Sequence, residues 1–153
     1  MAKNKKFQEF TVSTKESGVL RKIKFRIYNT HADFIAYLRK TYNPDIGDWA
    51  GGYYDAKDLR IFLTAEYLSL GIIVHECTHI AEYIRKLDKK QYDATWQDNY
   101  HKSSFKREKL AYLASDLVTK TINKLETKQI RVFSNYAENK YSYLPKDKKI
   151  SLK

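Results

Sequence analysis

Between Leu68 and Ile84 the chain carries an apolar run long enough for about four to five helical turns, interrupted by His75, Glu76 and His79. At roughly 100° per residue, His79 falls about 40° from His75, and Glu76 about 100° from it. The three share one side of the helix. Leu70, Ile73, Val74, Cys77, Ile80, Ala81 and Ile84 occupy most of the remainder, which suits a helix buried on most sides. Burying three titratable side chains without partners is costly in a small domain. A divalent cation removes that difficulty, because two imidazoles four residues apart can clasp one Zn²⁺ and the carboxylate between them can reach its water. His75-Glu76-Cys77-Thr78-His79, an H-E-x-x-H pattern, is therefore read as a metal site rather than a coincidence.

The rest of the chain is read as the frame for that helix. A length of 153 residues fits one domain with a core of its own. Residues 1–126 are expected to form it, with 127–153 as a basic, Tyr-rich tail. Within the first part, Phe7, Phe10 and Val12 mark one strand, Ser17-Gly18 a turn, and the alternation of Ile23, Phe25 and Ile27 with Lys22, Lys24 and Arg26 a second strand. Thr30 to Asp33 fits a helix N-cap, with His31 on the surface of the first turn and Phe34, Ile35 and Leu38 as the apolar face. Asn43-Pro44-Asp45 ends that helix. Trp49 to Thr64 reads as a hairpin turning near Ala56-Lys57-Asp58, with Leu59, Ile61 and Leu63 on one side and Arg60, Phe62 and Thr64 on the other. Gly51-Gly52 suits either a close backbone approach or a bulge. Residues 85–90 read as a basic helix exit, 91–104 as a loop, and 105–126 as a second long helix with Leu110, Leu113, Leu117, Val118, Ile122 and Leu125 inward. The fold class expected is α+β, an antiparallel or mixed sheet packed on the active-site helix and this second helix.

Charge and cysteine content narrow the setting. The formal charge of +11 comes from lysines spread along the chain. They are densest after residue 127, where seven Lys and Arg face two acids and Phe133, Tyr136, Tyr141 and Tyr143 are interleaved. Such a segment can track phosphates and stack bases, so nucleic acid is a candidate partner. Cys77 stands alone, which excludes an internal disulfide and suits a reducing compartment. Its expected role is small buried packing. No apolar run spans a membrane free of charge, and the basic start does not lead into a signal-peptide core. A cytoplasmic protein without membrane contact is expected.

The helix with His75, Glu76 and His79 resembles the active-site helix of the zincin metallopeptidases. Gly51-Gly52-Tyr53-Tyr54 and Leu59 to Thr64 resemble the edge strand before that helix, and Glu108-Lys109-Leu110-Ala111-Tyr112 is similar to the E-x-x-A-Y start of a second helix in small gluzincins, many of them phage-encoded. The resemblance covers about residues 48–126. It implies a small zincin-like domain in which His75, His79 and Glu108 hold Zn²⁺ and Glu76 is the general base. A peptide or protein would be the substrate, lying along the strand Leu59–Thr64. From spacing alone, Glu82, His101 and Glu108 all stay open as the third ligand a catalytic zinc needs. The metzincin pattern is absent, since Glu82 and Arg85 stand at its glycine and third histidine. Larger gluzincins place an aspartate where this chain has Tyr112, so Tyr112 or Asp116 would have to orient an imidazole. Tyr112, Tyr100 and His101 are the candidates for stabilising an oxyanion. Two other functions compete with a zinc metallopeptidase: a DNA-associated zinc protease, and a non-catalytic zinc-binding protein of a phage or mobile element that docks on a host protein.

Overall fold

The computed structural model describes residues 5–16, 18–92 and 99–133, with side chains described up to residue 87 of the first long helix and from residue 109 of the second. The chain opens with a long hairpin of β1 (Phe7–Glu16) and β2 (Val19–Tyr28), paired antiparallel over their full length. Gly18, at φ +80°, sits in its turn, a conformation that costs glycine nothing and other residues a steric clash. Helix α1 (His31–Thr41) follows, capped by the Thr30 hydroxyl, which accepts from the Asp33 amide. A second hairpin, β3 (Gly52–Asp55) and β4 (Arg60–Thr64), is inserted so that β4 lies parallel to β2. The sheet order is β1-β2-β4-β3. After a 3-10 turn at Ala65–Tyr67 come α2 (Leu70–Tyr92) and α3 (Asn99–Thr127). Four strands in a mixed sheet with three helices make this a small α+β domain.

The sheet is buried on both faces at its centre. Val12, Ile23, Phe25, Ile27, Ile61 and Leu63 point toward α2 and α3, where Ile73, Ile80, Ile84, Leu113 and Leu117 close the main core. Tyr28 and Phe62 point the other way and meet Phe34, Ile35 and Leu38 of α1. α1 is the crossover between the parallel strands β2 and β4, and it covers the face it crosses. Being paired on both sides, β4 cannot accept a further strand. The expectation that a peptide lies along Leu59–Thr64 is corrected by this pairing: on the cleft side of the sheet the open edge is β3.

Both long helices exceed their expected bounds. α2 continues through the basic exit to Tyr92, and α3 begins at Asn99, inside the expected loop. Neither stretch contains Gly or Pro, and loss of apolar period alone does not end a helix. His31 is likewise half-buried rather than on the surface, with Nε2 2.6 Å from the Asp48 carbonyl. Arg85 on α2 donates to Glu16 on β1 at 2.6 Å, with both side chains largely covered. The first residues assigned to the tail pack on the domain. Val132 is buried, and Phe133 pairs with the start of α2 through the Leu68 carbonyl and the Leu70 amide, each at 2.8 Å.

Candidate functional site

α2 begins beside the sheet, where the buried Ser69 hydroxyl accepts from the Ile72 amide as its cap. Ile72, Ile73, Cys77, Ile80 and Ala81 fix the helix in the core and turn His75, Glu76 and His79 toward β3. The two imidazoles converge. Their Nε2 atoms stand 3.1 Å apart, with the ring planes at 86°. Two nitrogens bound about 2.0–2.1 Å from one tetrahedral zinc stand about 3.3–3.4 Å apart, so the pair fits such an ion with a shift of a few tenths of an ångström. Burial, and then the neighbouring His79, hold His75 below its usual pKa, which keeps a nitrogen lone pair available.

β3 supplies the other wall. Tyr54 stacks on the His79 ring at 4.4 Å between centroids and 14° between planes, which fixes the ring's orientation. Gly52 lies against Glu76: a Cβ there would stand 2.9 Å from both Cγ and Oε1 of the carboxylate. The close approach for which Gly51-Gly52 is suited is thus made at Gly52 by the Glu76 side chain. Glu76 is only 5% exposed, and its Oε2 has no hydrogen-bond partner. Burial pushes this carboxyl up to about 8. A carboxyl held protonated by burial, beside two converging imidazoles, can take a proton from a small polar group only once a positive charge in the cleft favours its ionised form. The cleft measures about 430 Å³ and is lined by Gly52, Tyr53, Tyr54, His75, Glu76 and His79.

His75, Glu76 and His79 therefore come together on one cleft. Among the described residues no group of three His, Cys, Asp or Glu side chains stands close enough to hold a metal. Glu82 is exposed and is not part of such a group. The side chains of His101 and Glu108 lie outside the described residues, as does that of Tyr100. Position 108 precedes Thr121 by thirteen residues, roughly 20 Å of helix, and Thr121 is the residue whose hydroxyl meets the Cys77 thiol at 3.8 Å. A Glu108 ligand thus requires the first turns of α3 to leave the axis set at Thr121. Tyr112, the first candidate for orienting an imidazole, is 71% exposed and is not among the residues that line the cleft. Asp116, the other candidate for orienting an imidazole, instead accepts from Thr14 on β1 at 2.8 Å and pairs with Lys120 at 2.9 Å. Tyr54 is the residue the sequence did not single out. Its signal was its place two residues after Gly52, the glycine that runs beside α2.

Compared with protein-family models, with curated proteins and with solved structures, the chain finds no match.

Proposed function

We propose that this protein is a zinc-dependent peptide hydrolase, working in the cytoplasm on peptide or protein substrates. One observation carries the reading: two Nε2 atoms 3.1 Å apart share a cleft with a buried carboxyl, one oxygen of which lacks a partner. His75 and His79 would hold the ion; Glu108, the third ligand that the resemblance implies, would join them only if the first turns of α3 bend away from the axis set at Thr121. When bound, zinc supplies a Lewis acid that lowers the pKa of a coordinated water toward neutrality.

The remaining chemistry belongs to the chain. Positive charge in the cleft favours the ionised form of Glu76, so Oε2 becomes the acceptor for the proton of the attacking water. Glu76 then returns that proton to the nitrogen of the departing amine. Tyr54 holds the His79 ring in place by its stacking. The outer edge of β3, from Gly52 to Asp55, offers backbone groups to an extended peptide lying across the cleft. Among the described residues, no helix is long and apolar enough to cross a membrane.

The test combines metal content with cleavage. Purified protein should carry about one zinc per chain, and Glu76→Gln should keep the zinc while losing cleavage of a mixed-peptide library. Glu108→Ala should lower zinc affinity, whereas His101→Ala should not. Zinc retained by a wild-type protein that cleaves nothing would leave a metal-binding protein and remove the hydrolase.

A further inference from the structure

The end of the β1-β2 hairpin extends beyond α1, so one face of it stays open. The pairing register places Thr11, Ser13 and Lys15 of β1 opposite Lys24, Lys22 and Leu20 of β2 on that face. Lys15, Lys22 and Lys24 are exposed there, and so is Leu20. β1 is also an outer edge of the sheet, and α3 runs beside it. Lys120 of α3 donates to the Ser13 carbonyl at 2.8 Å, and a groove of about 410 Å³ follows the edge, lined by Thr11, Ser13, Lys120, Asn123, Lys124 and Thr127 as well as Val12.

The nearby acids are engaged within the fold. Glu9 is held by Arg26 at 3.2 Å and Arg60 at 3.8 Å, Glu16 by Arg85, and Asp116 by Lys120 and Thr14. Lys15, Lys22, Lys24 and Lys124 are in no ion pair among the described residues. Positive charge is left uncompensated over the open half of the ribbon, about 17 Å of each strand, continuing around its edge onto a helix.

We propose that this face binds the phosphate backbone of a nucleic-acid duplex. The open half carries lysines and hydroxyls but no aromatic ring, so it can hold phosphates without offering bases a stacking platform. An acidic peptide strand is disfavoured, because Lys120 occupies the Ser13 carbonyl and interrupts the ladder such a strand would need. The face lies at the β1 edge, at the other end of the sheet from the β3 cleft, and does not depend on the hydrolase reading.

The experiment measures anisotropy of a labelled mixed-sequence DNA duplex, titrated with the full chain from 50 to 200 mM salt. Each phosphate contact contributes about 0.9 to the slope of log K against log salt. Lys22→Gln/Lys24→Gln/Lys124→Gln should therefore flatten the slope by about 2.7, with an unchanged circular dichroism spectrum. Lys57→Gln, in the β3-β4 turn, should leave it unchanged. A triple variant with the wild-type slope overturns the proposal. So does tighter binding of the single strand than of the duplex, or equal displacement by polyglutamate of matched charge.

Discussion

Replacing Glu76 by glutamine in the metal-free protein tests the electrostatics of the cleft without any assay of catalysis. Burial moves the carboxyl from its ordinary 4.5 up to about 8. In the unfolded chain it ionises near the ordinary value, while in the folded chain it keeps its proton until about pH 8. Between those limits the unfolded state gives up a proton that the folded state retains, so raising the pH favours unfolding. The contribution of Glu76 is complete below about pH 4.5 and is lost as pH rises through about 8. At about 1.4 kcal/mol per pH unit, the whole interval amounts to at most about 4–5 kcal/mol. Glutamine has the same shape and no charge to release. Urea unfolding with a chelator present, at pH 5, 6, 7 and 8, should show wild-type stability falling relative to Glu76→Gln by several kcal/mol across the series. Taking the difference cancels the opposite effect of His75, whose lowered pKa makes the fold gain stability as pH rises through the imidazole range. Zinc should raise the stability of both proteins by mass action, since both keep it, and should narrow the gap between them because its charge favours the ionised form of Glu76. Parallel pH profiles for the two proteins would refute the claim that this carboxyl is buried without a partner.

Three further outcomes follow from the same walls. Gly52→Ala places a methyl 2.9 Å from the Glu76 Cγ and Oε1, so the carboxylate must swing away; zinc content should hold while kcat/KM falls by roughly tenfold or more, the scale on which misplaced catalytic groups are felt. Tyr54→Phe should keep zinc affinity, measured against a competing chelator, whereas Tyr54→Ala should weaken it by about 10-fold, the low end for groups that orient a ligand. The Cys77 thiol, fully buried and pushed up to about 12, should react with Ellman's reagent at pH 8 only at the rate of unfolding and immediately in urea.

The helix with its two imidazoles was legible because periodicity and chemistry agree there: an apolar run demanded burial, and the polar exceptions fell on one side. The β1-β2 hairpin was legible for the same reason, with strict alternation at Ile23, Phe25 and Ile27 and a glycine at the turn. The place of β4 was not. Leu59 to Thr64 alternates as any half-buried strand does, and nothing in its residues tells that β2 lies on one side and β3 on the other. Phe62 among polar neighbours was the available hint that a second layer, α1, covers the opposite face. The end of α2 was misjudged because lysine, leucine and glutamine propagate a helix after the apolar stripe has ended, and the start of α3 because residues 99–104 carry no apolar period yet hold no Gly or Pro to keep the helix out. Tyr54, named only as part of the strand before the helix, was given no role because its partner His79 lies twenty-five residues away, a contact that only the sheet brings about.

The bridge from Phe133 to the start of α2 ties the far end of the described chain to Ser69, the residue that caps that helix. Leu70, which donates to the Phe133 carbonyl, is five positions from His75, less than a turn and a half of helix away. Pulling on the chain after Phe133, through a fused tag, a docked protein or a protease cut, would be transmitted straight into the first turn of α2. A tag or cleavage site placed directly after Phe133 is therefore a poor neutral handle, and the same position is an attachment point for anything that is meant to adjust the imidazoles from outside.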